Sequence, residues 1–201
     1  MFPPEAVLEA VDAGQRAFGE NYLQEGVDKI AAVAKARPGM PLEWHFIGPI
    51  QSNKTRPIAA SFSWVHTVER LKIAQRLSEQ RPPELGPLNI CLQVNISGEA
   101  SKSGVLEAEL AELARQVAAL PNLRLRGLMA IPEPESDPVK QRAPFARMRE
   151  LADSLRGQGI ALDTLSMGMS GDMAAAVAEG ATIVRVGSAI FGARDYNKVK
   201  A

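Results

Sequence analysis

The chain has 201 residues, the length of one domain or one plus a little, and 46% of them are hydrophobic, enough for a substantial core. Its 23 basic and 23 acidic residues cancel, which excludes binding to nucleic acid driven by phosphate neutralisation. No apolar run approaches the ~20 residues of a membrane span, the lone Cys91 excludes an internal disulfide, and one cysteine with two distant histidines does not make a zinc site.

Met1 leads straight into Phe2-Pro3-Pro4-Glu5 with no signal-peptide pattern, so a cytoplasmic location is expected. Pro3-Pro4-Glu5 opens a helix whose apolar stripe is Val7, Leu8 and Val11, and Gly14 ends it. Ala17 to Asn21 reads as a strand running into a polar end. Leu23, Val27, Ile30 and Ala34 keep helical spacing until Arg37-Pro38-Gly39. Trp44 to Gly48 is a strand and Gln51-Ser52-Asn53-Lys54 the loop after it. Trp64 to Val68 is the next strand, and Leu71, Ala74 and Leu77 mark a helix. Arg81 to Pro87 is a linker turn, Asn89 to Asn95 a strand, and Ser97 to Gly104 a polar loop. Cys91 sits between Ile90 and Leu92 and reads as a buried structural thiol. Leu106, Leu110, Leu113 and Val117 make an amphipathic helix. A strand over 124–131, an acidic Pro-rich loop and a helix carrying Phe145, Met148, Leu151 and Leu155 follow.

The last stretch, Thr164 to Gly192, is the most informative. Leu165 to Gly168 reads as a short buried strand, Ser170 as a helix N-cap, and Asp172 as a first-turn acid. Ala174 to Ala178 is strongly helix-forming, and Gly180 stops it. Ile183 to Val186 reads as a strand buried on both sides, and Gly187-Ser188 turns the chain. Two Gly/Ser turns thus follow two successive strands. In a parallel sheet both lie at neighbouring carboxyl ends, where N–H groups and hydroxyls can converge on one anion. An N-cap followed by an ordinary loop explains the same residues.

Strand and helix alternate throughout, which predicts a parallel sheet covered by helices. The predicted strands are 17–21, 44–48, 64–68, 89–95, 124–131, 164–168 and 183–188, seven where a (β/α)8 barrel has eight. The leading helix is out of phase for a βα unit, so the expectation is a first strand upstream of Met1. Polar residues cluster at the strand ends: Glu20-Asn21, His45, Gln51 to Lys54, His66, Asn95 and Ser101-Lys102-Ser103. Each alone is a turn residue or a cap; their shared rim is the stronger signal. His45 and His66 alternate with apolar neighbours and read as barrel-interior histidines, and Met167, Met169 and Met173 as packing.

Several ordered motifs carry a resemblance that runs the length of the chain. They are Phe18-Gly19-Glu20-Asn21-Tyr22, Trp44-His45-Phe46-Ile47-Gly48, Gln51-Ser52-Asn53-Lys54, Gln93-Val94-Asn95-Ile96, Ser101-Lys102-Ser103-Gly104, Gly127-Leu128-Met129, Ser166-Met167-Gly168-Met169-Ser170-Gly171-Asp172 and Val184-Arg185-Val186-Gly187. With them the chain resembles the YggS/PROSC family of pyridoxal phosphate homeostasis proteins. The resemblance implies one barrel domain over 1–201, a TIM barrel of the alanine racemase N-terminal domain type (fold type III). It implies pyridoxal 5′-phosphate (PLP) as cofactor, no established catalysis, and PLP-dependent apo-enzymes as partners. By motif, Ser170, Gly187 and Ser188 would hold the phosphate, Arg185 would face the pyridine nitrogen, Asn21 and Met169 would line the ring, and His45 would lie nearby. The family's Schiff-base lysine would fall upstream of Met1, so no catalytic residue is assigned.

A guanidinium only donates, so the ring nitrogen opposite Arg185 would stay unprotonated and be a weak electron sink. The only tyrosines are Tyr22 and Tyr196, and no second domain offers a base. The expectation is therefore a PLP carrier that is not an enzyme. A racemase-like enzyme of fold type III is the alternative, and a phosphate-binding barrel without PLP a third reading.

Overall fold

Seven strands, β1 (Ala17–Glu20), β2 (Glu43–Phe46), β3 (Trp64–Val68), β4 (Leu88–Gln93), β5 (Leu123–Met129), β6 (Thr164–Met169) and β7 (Ile183–Arg185), pair in sequence order into one sheet. Every pair is parallel. The computed structural model describes residues 2–98 and 102–192; Ser101 and Tyr196 lie outside them. Side chains of β2 and β3 reach those of β6 and β7 through hydrogen bonds, which requires the sheet to curl back on itself as a nearly closed barrel. Among the described residues, β1 and β7 each have one edge without a strand partner.

The helices α1 (Pro4–Asp12), α2 (Leu23–Ala36), α3 (Thr55–Ser61), α4 (Leu71–Gln80), α5 (Glu107–Ala118), α6 (Pro138–Gly157), α7 (Met173–Ala178) and α8 (Ser188–Phe191) alternate with the strands. Because strand side chains alternate, Phe18, Trp44, Phe46, Val65 and Leu165 face outward and pack against helix residues such as Val33, Ile58, Leu77, Leu113 and Phe145. Inside the barrel a small cluster of Trp64, Cys91 and Met129 is packed by Ile183. Among the described residues no helix is long and apolar enough to cross a membrane.

Strand positions agree with the sequence reading to within two or three residues, the ordinary fraying of element ends. Three elements differ in kind. α3 falls in a stretch to which the sequence reading gives no element; it is seven residues long with Pro57 inside, too short to display an apolar period. α6 begins at Pro138, before its apolar stripe, because the Asp137 carboxylate accepts from the N–H groups of Val139 and Lys140. The last strand ends at Arg185 rather than residue 188, and Ser188 starts α8. All three β7 residues are half-buried, not buried on both sides, since no strand covers one edge.

Two buried cations hold helices in place. Lys29 of α2 donates to both Glu20 oxygens at 2.8 and 3.0 Å, so Glu20 faces α2 and not the rim. Arg81 donates to the carbonyls of Ala59 and Phe62 at 2.6 and 2.8 Å and to that of Gly86 at 2.8 Å. The first two satisfy carbonyls at the end of α3, which lack helical partners.

Candidate functional site

Ile183 packs into the barrel interior, so Arg185, two residues on along a strand, points into the same interior nearer the carboxyl rim. Its Nη1 donates to the carbonyl and Oγ of Ser166 at 2.9 and 2.7 Å, and its Nη2 to the Ala130 carbonyl at 2.9 Å. These three bonds leave two of the five guanidinium N–H donors. Burial pushes the Arg185 pKa down to about 10, so the group is still cationic at neutral pH.

Beneath Arg185 a row of side chains crosses the barrel. Ser166 Oγ lies 2.7 Å from His66 Nδ1, His66 Nε2 lies 2.8 Å from His45 Nδ1, and His45 Nε2 lies 3.0 Å from Glu43 Oε1. Ser166 and His66 are fully buried, and Glu43, at the start of β2, is half-exposed. Trp64 stacks on His45 with ring centroids 5.4 Å apart, and the Arg126 guanidinium sits 4.7 Å above the indole. Burial lowers both imidazoles from the ordinary 6.5; Glu43 partly offsets this at His45, while His45 and Arg185 lower His66 further. Burial raises the Cys91 thiol, which removes it as a nucleophile.

This burial makes stability sensitive to mild acid. Below about pH 6.5 the unfolded histidines take up protons that the folded ones refuse, so stability is full above that pH and falls below it. The carboxylates held low by arginines, Asp12, Asp163 and Glu179, begin to protonate only at lower pH. The urea midpoint is expected to fall between about pH 7 and pH 5, and less steeply in His66→Gln. A midpoint that stays level or rises on acidification contradicts this.

At the rim, β6 ends at Met169, paired in register with Arg185. Gly168 has φ +96°, and a Cβ there would come within 2.6 Å of the Ala176 side chain. A left-handed residue without a side chain is therefore what lets the chain turn tightly from β6 onto α7. The expected Ser170 cap is not formed. Asp172 occupies the cap position of α7, and its carboxylate accepts from the Met169 N–H at 2.5 Å. The strand runs one residue further than expected and α7 begins only at Met173, so Ser170 lies two residues before the cap position. The Ser170 hydroxyl is instead exposed and 3.4 Å from that of Ser188 at the next strand end. A Cβ built on Gly171 or Gly187 would meet nothing within 4 Å, so the backbone beside both serines is open.

The structure thus brings Met169, Ser170, Arg185, Gly187 and Ser188 together at the ends of β6 and β7. Asn21 lies at the end of β1, half-buried, its carbonyl so near Gly48 that a Cβ there would come within 1.9 Å. His45 is in the interior, both ring nitrogens engaged, two hydrogen bonds removed from Ser166. Lys102, on the rim in the sequence reading, pairs with Glu133. Ser166, His66 and Glu43 were not picked out as one unit; the signal was available, because Glu43 and His45, Trp64 and His66 are pairs two residues apart on one strand face. Among the described residues no three His, Cys, Asp or Glu side chains cluster to hold a metal.

Residues 5–195 match the family model of the alanine racemase N-terminal domain. The pyridoxal phosphate homeostasis protein of Pseudomonas aeruginosa is 65% identical over 194 residues, covering 96% of this chain and 81% of that protein. PipY of Synechococcus elongatus, solved with PLP bound, superposes with a TM-score of 0.86 at 38% identity, over 94% of this chain and 88% of PipY. An alanine racemase of Clostridium difficile superposes with a TM-score of 0.75 at 13% identity, over 95% of this chain and 49% of the racemase, a likeness of fold.

Proposed function

The chain belongs to the family of pyridoxal phosphate homeostasis proteins, and on that premise we propose that it binds PLP at the rim of β6 and β7 and acts in the homeostasis of that cofactor without turning over amino acids. The observation that carries this reading is the meeting of the Ser170 and Ser188 hydroxyls beside Arg185 at neighbouring strand ends. The residues fit the cofactor. Two hydroxyls with open backbone at Gly171 and Gly187 suit a phosphate, and Arg185 keeps donors for a ring nitrogen. Met169 and Asn21 line the ring. His45 contributes from below, through His66 and Ser166.

When bound, PLP supplies an aldehyde and an electron-withdrawing ring. Arg185 is cationic and can only donate, so it stabilises the ring nitrogen as an acceptor and gives no proton to strengthen the electron sink. That chemistry suits holding the cofactor more than carbanion formation. Transfer to PLP-dependent apo-enzymes in the cytoplasm completes the proposal.

A PLP titration followed by visible absorbance tests it. Ser170→Ala and Ser188→Ala are each expected to weaken PLP about tenfold, the value of a hydrogen bond to a charged group, and to leave unphosphorylated pyridoxal unaffected. PLP affinity indifferent to both substitutions removes the phosphate assignment. Multiple turnovers of an amino acid above free PLP favour the racemase-like reading.

A further inference from the structure

With both buried imidazoles neutral, only one assignment of hydrogens satisfies every contact in the row from Glu43 to Arg185. The Glu43 carboxylate accepts, so His45 Nε2 donates to it at 3.0 Å. His45 is neutral, so its Nδ1 accepts and His66 Nε2 donates at 2.8 Å. His66 is neutral in turn, so its Nδ1 accepts the Ser166 hydroxyl proton at 2.7 Å. Ser166 Oγ then accepts from Arg185 Nη1 at 2.7 Å. Every donor points the same way, from the cation at the rim to the carboxylate at the amino-terminal mouth.

The neighbours of this row inside the barrel, Trp64, Cys91, Met129 and Ile183, are largely apolar. A buried polar row among them is costly unless each member is satisfied, and this one is complete. The two imidazoles and the Ser166 hydroxyl also lie below the rim, out of the site that the serines form. Their chemistry points upward to the one group they end on.

We infer that Glu43, His45, His66 and Ser166 are positioning residues that preset Arg185 through a one-way hydrogen-bond chain, so that a carboxylate at one mouth of the barrel orients the guanidinium at the other. The use of that orientation rests on reading the rim as a PLP site. A guanidinium already fixed by Ser166 and Ala130 presents its remaining donors without reorganisation.

The chain has two histidines, and both are in the row, so isotopic nitrogen labelling of histidine reports on nothing else. In cofactor-free protein at neutral pH, both imidazoles are expected to carry their hydrogen on Nε2. Glu43→Lys puts a donor at the mouth and is expected to switch both to the Nδ1–H form, His66 included, although residue 43 does not touch it. The Glu43 side chain is half-exposed, so the substitution spares the fold. Glu43→Gln, whose amide oxygen still accepts, is expected to restore the Nε2–H form. PLP affinity of the Glu43→Lys chain should fall about two- to tenfold, the equivalent of one hydrogen bond. Nδ1–H imidazoles in the native chain, or a His66 signal indifferent to residue 43, overturn the row even where PLP binds. Switched tautomers with unchanged PLP affinity overturn its role in presetting Arg185. Nε2–H imidazoles in a native chain that binds no PLP uphold the row and remove the rim reading instead.

Discussion

Gly127→Ala is expected to destabilise the barrel by about 3 kcal/mol or more, the upper end of overpacking penalties. Gly127 pairs with Thr164 where β5 meets β6, and a Cβ on it would lie 1.7 Å from the Thr164 carbonyl oxygen and 2.5 Å from its carbon. Backbone cannot rotate away as a flexible side chain does. The two strands must part, and parting them disturbs Ser166, which pairs with Met129 two residues on. Chemical denaturation of the purified variant checks this. Gly157 is the control: it ends α6, and a Cβ there meets nothing within 4 Å. Gly157→Ala should be stabilising by about 0.4–1 kcal/mol, through the unfolded chain. A Gly127→Ala protein as stable as the native chain would show that the strand contact is looser than the structure describes.

Lys29→Met is expected to cost about 3–5 kcal/mol, because it leaves the Glu20 carboxylate uncompensated beneath α2. Both partners are nearly buried, with side chains 11% exposed, and the lysine reaches both carboxylate oxygens. The penalty comes from the orphaned charge more than from the lost attraction. Glu20→Leu combined with Lys29→Met should therefore recover most of the stability and behave as a hydrophobic replacement of the pair. Denaturation midpoints of the two single variants and the double variant decide the matter. A single-variant loss below about 1 kcal/mol, the worth of an exposed ion pair, would place this pair in solvent.

Neither effect is visible in the chain alone. The sequence places Glu20 at the polar end of a strand, and on that ground it joins the rim residues. Whether a strand-end side chain faces the ligand or a helix depends on the pleat. Glu20, which turns out to α2, and Asn21 at the rim are consecutive residues. Gly127 likewise reads as one small residue in a strand until Thr164 is set against it.

The sequence by itself determined the α/β class, the order of the strands and the two Gly/Ser turns. Local signals carry these: β-branched runs, helical apolar spacing and turn chemistry act within a few residues of one another. Parallel pairing in sequence order then brings the ends of successive strands together, so the nearness of the two Gly/Ser turns followed from order alone. Of the row from Glu43 through His45, His66 and Ser166 to Arg185, only the same-face pair Glu43 and His45 is local in the chain. Its His66–Ser166 contact joins residues 100 apart in the chain, and it exists only because the sheet curls until β3 faces β6. The apolar alternation marked His45 as interior, but the curvature decided which groups it meets there, and the later start of α7 decided that the helix cap falls to Asp172 while the Ser170 hydroxyl lies near Ser188. Those outcomes depend on where whole strands lie against each other, a quantity fixed by packing across the barrel and not by any neighbourhood of the sequence.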